Sequence, residues 1–380
     1  MRCNSLVKRL VLVVAAGLLL AGGPGVSGPS AKAAGAEKAK NRKSVAGKAG
    51  KNRQPLKKPE LLVQLPGDFC NTPDAMALLP DGNVVLSVPN FNDTKQPPVL
   101  VEITPDNKVE KFFELPPNPE TGKPFGALGV CVAPSGDLFI ADYQMEGPQK
   151  SRVCRIKMRE GRPTELVPAV DGFNVSNAVI CRNGYLYVTD TQIDKNVQPV
   201  VSGVFRIKLE EIGERSIRLS TPLLQDPRLI AKIQTFNQEL PLGADGLCFD
   251  KAGNLYIGNF ADGTVHRLTF DAAGKVTSNE IFAKADYMKS ADGLFFDAQT
   301  DQILVADSKA NAIHLVSLDG KVRILAQSGD TDGLDGGMDQ PCEPLLRGRE
   351  VIVSNMDWPV PGCINQKYDT PCTLSVIKLD

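Results

Sequence analysis

The stretch GADGLCFDKAGNLYIGNF, residues 243–260, decides the reading of the fold. Asp245 precedes a short apolar run, a Gly- and Asn-containing turn follows, and a second apolar run ends on Asn259. Two short β-formers around such a turn read as an antiparallel hairpin. The same plan recurs in TPDAMALLPDGNVVLSVPN from Thr72, ALGVCVAPSGDLFIADYQ from Ala127 and VSNAVICRNGYLYVTDTQ from Val175. It returns in SADGLFFDAQTDQILVADS from Ser290 and, with a shorter turn, in CEPLLRGREVIVSNMD from Cys342.

Third strands follow as PPVLVEITPD, SRVCRIKMRE, SGVFRIKLEE, GTVHRLTFD and NAIHLVSLDG, and outer fourth strands as VEKFFEL, TELVPAV, NEIFAKA and VRILAQS. Four antiparallel strands repeating about every 50 residues describe a propeller blade. The expected fold is therefore all-β, a six-bladed β-propeller over residues 60–380, with ELLVQL at 60–65 completing the last blade and closing the ring. A sandwich leaves the repeated hairpin unexplained, and a doubly wound α/β fold needs helices between strands that the pattern lacks.

First strands of a propeller line its central channel, so residues at their starts converge on one channel mouth. These positions hold Asp74, Leu128, Asn177, Asp245, Asp292, and Glu343 or, with a one-residue shift, Cys342. Several carboxylates in a confined mouth repel one another until protons or a cation neutralise them. Oxygen donors without His or Cys suit a hard cation, most naturally Ca2+, with Zn2+, Mg2+ or Mn2+ as alternatives. A purely structural reading competes, because Asp or Asn at a strand start also bonds nearby backbone amides. A second recurring set, Asn90, Asp142, Asp190, Asn259, Asp307 and Asn355, closes the second strands in every blade and reads as structural. The two histidines, His266 and His314, occupy equivalent third-strand positions away from the channel, which speaks against a Ser–His–Asp triad, a histidine zinc centre or a quinone-dependent dehydrogenase.

The first residues differ from the rest. MRCNSLVKRLVLVVAAGLLLAGG joins a basic head to an apolar stretch too short for a comfortable membrane span, and small residues follow to Ala33. Residues 1–33 have the layout of a secretory signal peptide, which predicts a secreted or periplasmic protein with no integral span after processing. Residues 34–59, rich in Lys, Ala and Gly, read as a disordered basic linker whose charge also suits contact with an anionic envelope surface. The formal net charge of −1 gives no reason to expect nucleic acid as a partner. Of the nine cysteines, Cys363 and Cys372 flank a short loop and form the best candidate disulfide. Cys70 and Cys342 are placed to meet where the ring closes, and Cys131, Cys181 and Cys248 read as small buried hydrophobes. The long stretch from Leu209 to Leu242 is expected either to roof the mouth or to add an idle turn of helix.

SNAVICRNGYLYVTDT and ADGLCFDKAGNLYIGNF resemble the third- and fourth-blade signatures of the SMP-30/gluconolactonase/LRE-like family, a likeness that extends as hairpin repeats over residues 60–380. The resemblance implies a divalent cation in the channel, commonly calcium, held by a first-blade acid, a third-blade Asn and a fourth-blade Asp. Here those positions are Asp74, Asn177 and Asp245, with Asp74 one methylene shorter than the family's Glu. The family's second-blade Asn is Leu128 in this chain, a departure that touches catalysis more than metal binding. The resemblance also implies lactone hydrolysis, with Asp245 as general base and Asp292 as its alternate. The expected function is thus an exported, metal-dependent hydrolase of lactones or related esters acting on a small molecule. The competing reading is a non-catalytic propeller that binds a ligand, peptide or envelope component.

Overall fold

The structure, a computed structural model, describes residues 55–144 and 146–380. The expected signal peptide and nearly all of the expected linker lie outside the described residues. The compact unit runs Leu56–Asp380, so it opens slightly ahead of residue 60. Lys57 N already donates to Leu325 O at 2.8 Å.

Six antiparallel sheets form the six blades. The fourth, built on the stretch quoted first, consists of Ala244–Phe249, Leu255–Asn259, Thr264–Phe270 and Val276–Lys284. Turn chemistry sets its period. In the third blade Asn183 and Gly184, both at positive φ, form a two-residue loop between the paired Arg182 and Tyr185, the backbone that matches strand twist. The fifth blade has no glycine in this turn, and Asp301 takes the left-handed conformation instead.

Second strands such as Val84–Val88 are buried, because a neighbouring blade covers each face. Outer strands such as Val276–Lys284 are mostly half-exposed or exposed. The ring closes through Glu60–Gln64, which pairs with Thr373–Lys378 to complete the sixth blade. Leu86 and Val101 of the first blade pack with Ile352 and Leu374 of the sixth, all fully buried. Each such side chain contributes about 1.5–3 kcal/mol by leaving water.

The stretch from Leu209 to Leu242 does not roof the mouth. Ile217–Arg218 adds in parallel to the outermost strand of the second blade, Arg162–Phe173, and Ile212, Leu219 and Leu223 are buried against the second and third blades. Leu229–Thr235 is the fourth strand of the third blade, a strand the sequence reading missed. Only the end of the stretch, at Leu242, reaches the mouth.

The cysteine expectations also need correction. All eight described cysteines are free. Cys372 packs with Cys70 in the core between the sixth and first blades, while Cys363 lies on the loop whose Ile364 N donates to Lys309 O. Cys342 does stand at the ring closure, but with its Sγ 3.5 Å from the carbonyls of Pro73 and Asp74 rather than beside Cys70.

Candidate functional site

The mouth is built by one irregularity repeated in several blades. Pairing of the first strand with the second slips by a residue between Ala127 and Val130, between Ser176 and Val179, and between Ala244 and Leu247. Leu128, Asn177 and Asp245 each fall in such a bulge, a device that re-aims a side chain at a strand end. Glycines then allow the blades to close in. A Cβ on Gly246 would stand 2.4 Å from Asp292 O, and one on Gly293 would stand 2.5 Å from Cys342 O. The amides at these positions bond across the gap, Gly246 N to Asp292 O at 3.2 Å and Gly293 N to Cys342 O at 2.8 Å.

Asp74, Leu128, Asn177, Asp245 and Asp292 consequently line one cavity, of about 530 Å3 with its open rim included. Glu343 does not join them; the one-residue-shifted alternative, Cys342, holds the sixth-blade place, its carbonyl accepting from Gly293 N as Asp292 O accepts from Gly246 N. The sixth-blade bulge lies between Pro341 and Glu343, and Glu343 lines a second cavity further along the first strands. It remains close enough for its charge to act on Asp245.

The electrostatics follow from burial. Asp74 is pushed up to about 7, chiefly by burial, against hydrogen bonds from Cys342 and the Ala75 amide. Asp245 is raised by burial and then by the charges of Asp292, Asp74 and Glu343, while a hydrogen bond from Asn177 opposes the rise. Asp292 is raised by burial and by Asp74, although Ser308 Oγ donates to its Oδ2 at 2.6 Å. Glu343 is raised by burial, Asp74 and Asp292. No Lys, Arg or His lines the cavity among the described residues.

Buried oxygen donors that repel one another have the chemistry to receive a hard cation. Among the described residues no three His, Cys, Asp or Glu side chains are gathered into a ligand cluster. A cation here would therefore need the Asn177 amide or water in its shell beside the carboxylates.

The second recurring set is structural, as expected. Asp190 accepts from the amides of Asn174, Val175 and Gln192. Asp307 accepts from the amides of Lys289 and Ser290 and meets His314 Nε2 at 2.9 Å, fully buried within the fifth blade. His266 is likewise buried on a third strand.

The sequence reading missed the walls. The residue just after each closing Asp or Asn turns toward the cavity in five of the six blades, as Phe91, Tyr143, Phe260, Ser308 and Met356. In the third blade Thr191 takes this place and donates to Ala244 O. Trp358 and Val360, on the loop between the second and third strands of the sixth blade, complete the wall. Phe91 links it together, with ring centroids 5.1 Å from Trp358 and 6.1 Å from Tyr143.

Neither a protein-family model nor a curated protein matches the chain. Solved structures do. A luciferin-regenerating enzyme is 11% identical with a TM-score of 0.58, over 85% of this chain and 97% of that one. A gluconolactonase from Xanthomonas campestris is 12% identical with a TM-score of 0.55, over 84% and 88%. Regucalcin, a calcium-binding protein from Agrobacterium tumefaciens, is 13% identical with a TM-score of 0.53, over 85% and 96%. At these identities the likeness establishes the propeller, and activity must be argued from the site.

Proposed function

We propose that this chain is a hydrolase of lactones or related esters, with its reaction centre at the mouth carboxylates. The observation that carries this reading is the convergence of Asp74, Asn177, Asp245 and Asp292, from four blades, on one cavity that, among the described residues, no basic side chain lines. Asp74, Asn177 and Asp245 would hold a divalent cation, Ca2+ by donor type. When bound, the cation would supply Lewis-acid polarisation of the scissile carbonyl.

The chain's own groups account for the proton. Burial and the charge of Asp74 raise Asp292 above the ordinary carboxylate range, which strengthens it as a base, and Ser308 orients it. It takes a proton from water as the water oxygen attacks the carbonyl carbon. It returns that proton to the ring oxygen as the acyl C–O bond breaks. Asp245, fixed by Asn177, serves as base wherever it is not engaged by the cation.

The likeness to a gluconolactonase and to a calcium-binding regucalcin supports this reading at the level of fold. The test is turnover of a panel of lactones and aryl esters with and without chelator. Chelator-sensitive hydrolysis that falls by about 10²–10⁴ in Asp245→Asn and Asn177→Ala supports it. Leu128 at the second-blade position favours the other reading, a non-catalytic binder, which would take up ligand without turnover. Export through the leader Met1–Ala33 belongs to the same proposal, tested by locating the mature chain outside the cytoplasm.

A further inference from the structure

Resting on that reading of the site, we infer that the substrate is a neutral lactone or ester with an apolar body, alkyl or aryl, rather than a polyhydroxylated sugar lactone. The floor and the walls of the cavity make different demands. At the floor, a divalent cation would only balance Asp74 and Asp245, which leaves Asp292 to repel an anionic substrate, and among the described residues no basic side chain lines the cavity to compensate. A cation does stand nearby, Lys309, 5.9 Å over the Phe260 ring, but it is not part of the lining.

The walls offer little to a polyol. Leu128 fills the second-blade place at the mouth, and the Phe91–Trp358 pair forms a continuous aromatic face. Two polar wall groups, Ser308 and Gln340, already have their donors engaged. Ser308 Oγ donates to Asp292. Gln340 Nε2 donates to the Trp358 carbonyl at 2.6 Å, which leaves its Oε1 as an acceptor without a partner. A sugar lactone would bring several hydroxyls to such a surface and leave most of them unpaired, a loss that sites of this kind do not tolerate. An alkyl or aryl group instead displaces water from Phe91 and Trp358, while the carbonyl end faces the carboxylates.

Trp358 is the single tryptophan of the chain and lies on the wall, so its fluorescence reports ligand entry whether or not turnover follows. The experiment titrates the protein with δ-decalactone and with glucono-δ-lactone, which share a ring size, and reads Trp358 emission and hydrolysis in parallel. The expected result is a saturable response to δ-decalactone with a dissociation constant at least about tenfold lower than for glucono-δ-lactone, and kcat/KM in the same order. Phe91→Ala should raise KM for δ-decalactone about tenfold and leave kcat within about twofold, because Phe91 meets the substrate's tail and not its reacting atoms. The comparison of the two lactones on the unaltered protein stands even if that variant does not fold. Equal or better binding and turnover of glucono-δ-lactone overturns the inference and leaves the hydrolase reading standing. A strong response to δ-decalactone without hydrolysis supports the inferred ligand class and overturns the hydrolase reading. No response and no turnover with either lactone overturns both.

Discussion

The amide of Gly246 donates to the carbonyl of Asp292 across 3.2 Å, from the fourth blade to the fifth. Two residues thus tie together the blades that carry two of the mouth carboxylates, and they do so only because position 246 has no side chain. A Cβ there would fall 2.4 Å from Asp292 O and 2.6 Å from Gly293 Cα, both backbone atoms.

Gly246→Ala should therefore force the two blades apart at the mouth, destabilising the protein by about 2–3 kcal/mol and weakening ligand binding at Trp358. Gly253→Ala is the control. Its φ of +87 strains an alanine, but nothing stands within 4 Å, so it should cost about 1–2 kcal/mol and leave binding at the mouth intact. Denaturant unfolding and Trp358 titration of both variants check this. Equal effects of the two on binding would remove the role assigned to the inter-blade approach.

Stability should fall as pH rises from about 5 to 8. Burial, with the charge of Asp357 first among its neighbours, pushes Asp339 up to about 8, and burial pushes Asp357 up to about 7. Between the ordinary carboxylate range, about pH 4, and those values, the folded chain holds protons that the unfolded chain has released. Unfolding then releases protons, so a higher pH favours the unfolded state. Asp74, at about 7, and Asp190, raised by burial to about 6, act with the same sign. Thermal unfolding in chelator-containing buffer should give a Tm that declines across this window, and Asp339→Asn should flatten part of the slope. A Tm that climbs steadily from pH 5 to pH 8 would speak against it.

Thiol chemistry should select a pair other than the one the loop spacing suggests. Cys131 and Cys181, on the first strands of adjacent blades, have Sγ atoms 3.6 Å apart. Their strands pack closely, since a Cβ on Gly129 would meet Asn177 O at 2.6 Å. Treatment with a small disulfide oxidant should join these two, with transfer of two electrons to the oxidant and loss of two protons. Peptide mapping should find this link in preference to one between Cys363 and Cys372. The reverse preference would mean that the loop carrying Cys363 is placed differently.

These features were unequally legible in the sequence. The hairpins could be read because each blade repeats a turn between two apolar runs, and Asp74, Asn177, Asp245 and Asp292 could be found because they share one register. The sixth blade could be read only to within one residue, as Glu343 or Cys342, because its turn is shorter; the bulge between Pro341 and Glu343 decides for Cys342, and Glu343 falls one step further along the first strands. The strand Leu229–Thr235 was missed because its LIAKIQT pattern lies in a long stretch that otherwise reads as an insertion. The walls left no repeating signal. Phe91, Tyr143, Thr191, Phe260, Ser308 and Met356 hold equivalent places but differ in type, since the fold fixes their direction and leaves their chemistry free. Trp358 sits in a loop that no other blade repeats, so only the folded chain brings it beside Phe91.

The most direct measurement is a calorimetric titration of Ca2+ into the chelator-treated protein, alongside Asp245→Asn. The account predicts one ion bound per chain by the unaltered protein and binding at least about tenfold weaker in the variant. Absence of binding to the unaltered protein, or equal binding by both, would contradict the claim that Asp74, Asn177 and Asp245 serve one cation at the channel mouth.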